Sequence, residues 1–139
     1  MNKKLMVGVK ILLVDETLGK FLAISRREKK NLSFNESWDI PGGRLELGEE
    51  PIEALKREIK EEIGLSLDLN PKILDASNII NNEDLQIIRI TYAATFQPNA
   101  SLEVNLGDEH NNLKWLDLKE SSEFHPCLNK ALSIYVSGQ

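Results

Sequence analysis

The segment from Pro51 to Ile63 constrains this chain more than any other. Proline suits the first position of a helix, and Gly64 suits the residue just past the end. Between them Ile52, Leu55, Ile59 and Ile63 fall on one narrow stripe at helical spacing, so this helix must be covered by a core. The rest of the helix carries charge. Glu58, Glu61 and Glu62 stand at i, i+3 and i+4 and project from one face within an arc of about 100°. Ala54, one turn earlier on that side, leaves space above them.

Three carboxylates on one turn repel each other. Like charges at i, i+4 weaken a helix by a few tenths of a kcal/mol. The cluster also lies in the C-terminal half, where the helix dipole disfavours negative charge. A bland reading is a solvated face whose glutamates pair with Lys56, Arg57 and Lys60. A sharper one is a seat for a hard divalent cation, which takes oxygen ligands and removes the repulsion. Arg57, four residues before Glu61, is placed to hold it.

Around this helix the pattern is mostly strand. Residues 7–14 alternate with one wholly apolar face, Leu18 and Gly19 turn the chain, and residues 21–25 return as a hairpin partner. Residues 26–36 read as a polar loop, and 37–40 as a short strand ended by Pro41, Gly42 and Gly43. After the helix come a strand over 71–80, a turn at 81–84, and a strand over 85–96. Residues 97–112 read as a long polar loop, of a kind that is often functional. A short strand over 113–118 and a helix over 126–136 close the chain. Strands clustered about a helix imply a mixed sheet packed by helices. The 139 residues fit one domain spanning 1–139, with no repeat and no linker.

The net charge of −5 argues against non-specific nucleic-acid binding, which needs a basic footprint. A phosphorylated substrate remains open, because a bound cation inverts the local field. No apolar run is long enough to span a bilayer, so no membrane partner is expected. Cys127 is the single cysteine, which excludes an internal disulfide and points to a reducing, cytoplasmic setting. It reads as a structural thiol, and His125 as a structural imidazole.

The decisive pattern is longer than the helix. From Gly43 the chain runs five residues to Glu49, seven more, then Arg57-Glu58-Ile59-Lys60-Glu61-Glu62-Ile63-Gly64-Leu65. This resembles the Nudix box at every defined position, and the approach Trp38-Asp39-Ile40-Pro41-Gly42-Gly43 is similar to the family's as well. So is the later Asp108-Glu109-His110 with Trp115-Leu116. The resemblance implies an α+β fold, an alpha-beta-alpha sandwich around a mixed β-sheet. It implies a hydrolase that uses Mg²⁺ or Mn²⁺ to cleave a diphosphate linkage in a nucleotide. It implies that Glu58, Glu61 and Glu62 bind the metal, that Arg57 orients them, and that Glu49 is an outer-shell residue or an occasional ligand. Gly43, with Gly42 beside it, matches the glycine that bends the loop toward the metal.

Outside the box, Glu109 is a candidate further ligand or general base, with Asp108 and His110 behind it. Arg26 is a candidate phosphate grip. Arg89 is read first as a surface or salt-bridged residue, with a substrate contact from the open face of its strand as the alternative. Trp38 and Trp115 are read as core or loop anchors. The expected substrate is a nucleoside triphosphate or nucleotide sugar. ADP-ribose or another dinucleotide is the alternative, and a nucleotide-sensing module without turnover is a further one. A monomer or homodimer is expected.

Overall fold

The computed structural model describes residues 2–26, 38–64, 66, 70–95, 110–119 and 124–138, with backbone alone at Arg26, His110, Asn111 and Asn112. Its elements run β1 (Lys4–Asp15), β2 (Lys20–Arg26), β3 (Trp38–Asp39), β4 (Gly42–Arg44), α1 (Pro51–Ile63), β5 (Lys72–Asn81), β6 (Leu85–Thr95), β7 (His110–Asp117) and α2 (Pro126–Ser137).

β1 organises the sheet. β6 lies parallel to it in register from Lys4↔Leu85 to Val14↔Thr95 and so fills one edge along its length. The other edge is shared. β2 pairs with it only at Val14 and Asp15, and β4 only at Gly8, Val9 and Lys10, both antiparallel. β2 in turn has β7 along one edge and β3 at Ile24 and Ser25 on the other. The β1–β2 hairpin therefore opens as a fork, and the stretch from β3 through Pro41 to β4 sits in its mouth. The Ile11 N–H donates to the Pro41 carbonyl at 2.9 Å and closes the gap between the two pairings. β5 continues the sheet beyond β6, antiparallel. The sheet is mixed, as expected.

Strand alternation sends side chains to two cores. Val9, Ile11 and Leu13 of β1, Leu22 and Ile24 of β2, and Tyr92 and Ala94 of β6 meet Leu55, Ile59 and Ile63 of α1. Leu12, Val14, Phe21 and Ala23 point the other way and meet Leu128, Leu132 and Tyr135 of α2. One helix covers each face, which completes an α+β sandwich of alpha-beta-alpha layers. Trp38 is buried in the second core and Trp115 is partly buried against the first, so both are anchors.

Three expectations need correction. Gly42 to Arg44 is a strand, although Gly-Gly-Arg has no alternation to reveal it; it forms because β1 offers an unpaired edge there. β7 begins at His110, so residues 110–112 belong to a strand and not to the long loop. Their polar side chains hide a pairing with β2 that includes an irregularity at Ser25 and Arg26. Ala54 leaves no open space: it is wholly buried in the core under α1, which packs against β4 and β1.

Candidate active site

The candidate site forms where β4 meets α1. Gly42 lies at φ +145°, and a Cβ there would run into the Val9 carbonyl and Lys10 of β1. Only glycine combines that dihedral with so close an approach. The backbone is thereby turned so that the Gly42 N–H donates to Glu62 Oε1 at 2.9 Å. Next, a Cβ on Gly43 would fall within the Glu58 carboxyl group. The two glycines thus let the chain pass against two of the three box carboxylates.

Glu62 is only 6% exposed. Its depth follows from helix geometry, because seven residues after Leu55 it lies about 20° from that core residue around the axis. A carboxylate so deep needs donors, and the Gly42 amide is one. Glu61 stands at the opposite extreme, with its side chain 61% exposed, and Glu58 lies between them.

Arg57 is the hub. Its Nε and Nη2 donate to the two Glu49 oxygens at 2.8 and 2.9 Å, a bidentate pair. Nη1 donates to Glu58 Oε1 at 2.8 Å, and Nη2 also reaches the Arg44 carbonyl at 3.1 Å. Glu49 takes a further hydrogen bond from the Glu46 N–H. The Arg57 hydrogen bonds, with the Glu46 amide, hold the Glu49 carboxyl down to about 2. The contact from Arg57 to Glu61 is long, 3.5 Å. Arg57 therefore reaches Glu61, as the i, i+4 spacing suggested, but holds Glu58 and Glu49 more closely. The reason is reach: the planar guanidinium is already spread between the β4–α1 connection and its neighbour on the helix.

Among the described residues, no three carboxylate, imidazole or thiolate side chains converge as a ready-made ligand set. The donor chemistry nonetheless fits a hard cation. Three carboxylates at graded depth share one helical turn, and the lack of a Cβ at Gly43 gives the Glu58 carboxyl room against the backbone. Glu49 has both oxygens engaged by Arg57, which sets it behind Glu58 in this arrangement.

The remaining candidates are placed unevenly. The Arg26 backbone pairs with His110 at the end of β2, near β3. Its side chain, and Asp108 and Glu109 entirely, lie outside the described residues. His125 caps α2, its Nδ1 accepting from the Cys127 N–H at 3.1 Å. Burial pushes the Cys127 thiol up, away from reactivity.

Arg89 is salt-bridged, one of the roles expected of it, but its partner was not legible in the sequence. Arg89 is 5% exposed and grips Asp39 with two bonds, Nη2 to Oδ1 at 2.7 Å and Nη1 to Oδ2 at 3.2 Å. Lys10 adds an ion pair at 3.5 Å. Burial pushes the Asp39 carboxyl up, but the Lys10 and Arg89 charges outweigh it and hold the group below the ordinary carboxylate range. The available signal was an arginine amid Ile87, Ile88 and Ile90, which demands a buried acid.

Comparison with known proteins bears on the fold and the family. A crystal structure of a MutT NUDIX hydrolase from Burkholderia pseudomallei superimposes with a TM-score of 0.76 at 25% identity, covering 94% of this chain and 98% of that one. An 8-oxo-dGTP diphosphatase of Haemophilus influenzae is 37% identical over 65 residues, 47% of this chain and 46% of that protein. An m7GpppN-mRNA hydrolase of Xenopus laevis is 43% identical over 61 residues, 44% of this chain and 20% of that protein. The chain thus matches less than half the length of either of these relatives. The NUDIX domain model matches residues 4–132, nearly the whole sequence, and the chain belongs to that family.

Proposed function

We propose that this chain is a divalent-metal-dependent hydrolase that cleaves a diphosphate linkage in a small nucleotide, a nucleoside triphosphate or a nucleotide sugar. One observation carries the reading: the Gly42–Gly43 backbone is pressed onto Glu62 and Glu58 while Arg57, itself held by Glu49, donates to Glu58.

When bound, Mg²⁺ or Mn²⁺ supplies charge neutralisation of the diphosphate and a more acidic water. Glu58, Glu61 and Glu62 are the residues that would hold it. Glu62 is fixed by the Gly42 amide and Glu58 by Arg57, so neither must be ordered at the moment of reaction. Among the described residues Glu61 has the long contact to Arg57, and it is the most solvent-exposed of the three, so its Oε1 is assigned to take the proton from the attacking water. Glu109 is the second candidate for that step. Gly42, Gly43 and Arg26 are assigned to the substrate phosphates. The triphosphate preference is supported by the likeness to a relative named for 8-oxo-dGTP.

The test is a substrate screen covering nucleoside triphosphates, nucleotide sugars, ADP-ribose, dinucleoside polyphosphates and CoA, with Mg²⁺, Mn²⁺ or chelator. Turnover of a triphosphate or nucleotide sugar that disappears with chelator is expected. Undiminished turnover in chelator defeats the metal assignment. A kcat/KM at least about tenfold higher on one of the other classes, or about 1.4 kcal/mol of transition-state preference, defeats the substrate assignment alone.

A further inference from the structure

The stretch from Asp39 to Gly43 is held from both faces of the sheet. On the α1 face, the Gly42 N–H meets Glu62 and Gly43 lies against Glu58. In the middle, Pro41 accepts from the Ile11 N–H. On the other face, Asp39 is clamped by Arg89 of β6 and by Lys10 of β1. Asp39 also accepts from its neighbour's amide, Ile40 N–H to Oδ1 at 2.7 Å, which ties its carboxylate to the backbone leading into Pro41. Among the described residues β3 pairs with β2 at two positions, and the clamp on Asp39 adds to that short ladder.

We propose that Asp39 and Arg89 are a positioning pair for the candidate active site, setting through residues 40–42 where the Gly42 amide meets Glu62. The pair lies across the sheet from α1, is separated by 50 positions in sequence, and touches none of the box carboxylates through any contact between the described side chains. Arg89 spends both Nη groups on Asp39, and its Nε has no hydrogen-bond partner among the described residues, so Asp39 is what orients it. Losing the clamp frees β3 to shift within the fork, and the Gly42 N–H moves off Glu62. A shift of that kind, about 1 Å, costs up to ~100-fold in rate when it reaches reacting groups.

This inference rests on the metal-hydrolase reading of Glu58 and Glu62, and its test keeps the two separable. Asp39→Asn, Arg89→Gln and the double variant are compared with the unaltered chain by the ¹H–¹⁵N resonance of the Gly42 amide, by Mn²⁺ affinity, and by kcat and KM. Each single variant is expected to move the Gly42 resonance, weaken Mn²⁺ binding, and lower kcat by about 10- to 100-fold with KM within about twofold. The double variant replaces the ion pair with a neutral amide pair, and it is expected to recover the Gly42 resonance and most of kcat. If a single variant does not fold, the double variant carries the test by the same two readouts. An unmoved Gly42 resonance in folded single variants overturns the proposal. So does a loss that falls on KM with altered base preference, which assigns the two residues to substrate contact. So does a double variant with a displaced resonance and full kcat. Failure of the metal reading shows separately, as Mn²⁺ binding that Glu62→Gln leaves unchanged in the otherwise unaltered chain.

Discussion

Glu62 joins two demands that rarely meet in one side chain, because it is nearly buried and it belongs to a turn crowded with like charge. Glu62→Gln keeps an oxygen that can accept from the Gly42 N–H, so the fold should hold while the charge is lost. A fall in kcat of about 10²- to 10⁴-fold with an unchanged melting temperature is expected. A rate within threefold of the original would remove Glu62 from the chemistry. Gly43→Ala tests the other contact. Its methyl would occupy the space of the Glu58 carboxyl, so Glu58 must rotate away or β4 must lift. Weakened Mn²⁺ binding and a kcat loss larger than that of Gly8→Ala are expected, since a Cβ on Gly8 meets nothing nearer than 3.7 Å. At this scale the box residues were legible because their spacing is local. The Asp39–Arg89 pair was not, because its partners meet only after β3 and β6 have been brought to one face by strands elsewhere in the chain.

Among the elements, α1 shows how far local physics reaches. Pro51, the apolar stripe and Gly64 mark its ends, and the helix runs from Pro51 to Ile63 with the Gly64 N–H closing on the Lys60 carbonyl. β4 shows where local physics stops, because a three-residue strand of Gly, Gly and Arg exists only through its pairing with β1. The connection between β4 and α1 depends on the Arg57–Glu49 bridge, and this gives it a pH signature. The Glu49 carboxyl is held down to about 2 by Arg57 and the Glu46 amide. An unfolded glutamate titrates near about 4.3. A group lowered on folding adds stability that is whole above the unfolded value and is lost as pH falls through the folded one. The melting temperature should therefore decline between about pH 4.3 and about pH 2, and less steeply in Glu49→Gln. Parallel declines in both proteins would show that Glu49 makes no such contribution.

For the molecule as a whole, the alternation of β1 makes one strand the floor of two cores. Val9, Ile11 and Leu13 serve α1, and Leu12 and Val14 serve α2. Neither face can lose its packing without releasing β1, and β1 also carries the edge on which β4 and the candidate site are built. The two faces should unfold together. Each holds a natural reporter, Trp38 in the core under α2 and Trp115 against the core under α1. Trp38→Phe leaves Trp115 as the only tryptophan, and Trp115→Phe leaves Trp38. Adding Leu128→Ala to each should lower stability by about 2–5 kcal/mol. If the faces are coupled, the denaturant midpoint seen by Trp115 must fall as far as that seen by Trp38, although Leu128 lies on the opposite side of the sheet from Trp115. The reverse holds for Leu55→Ala, which is buried under α1. A midpoint that moves only for the tryptophan on the mutated face would mean that the layers unfold separately, and that β4 and its glycines keep their seat on β1 when α2 is gone.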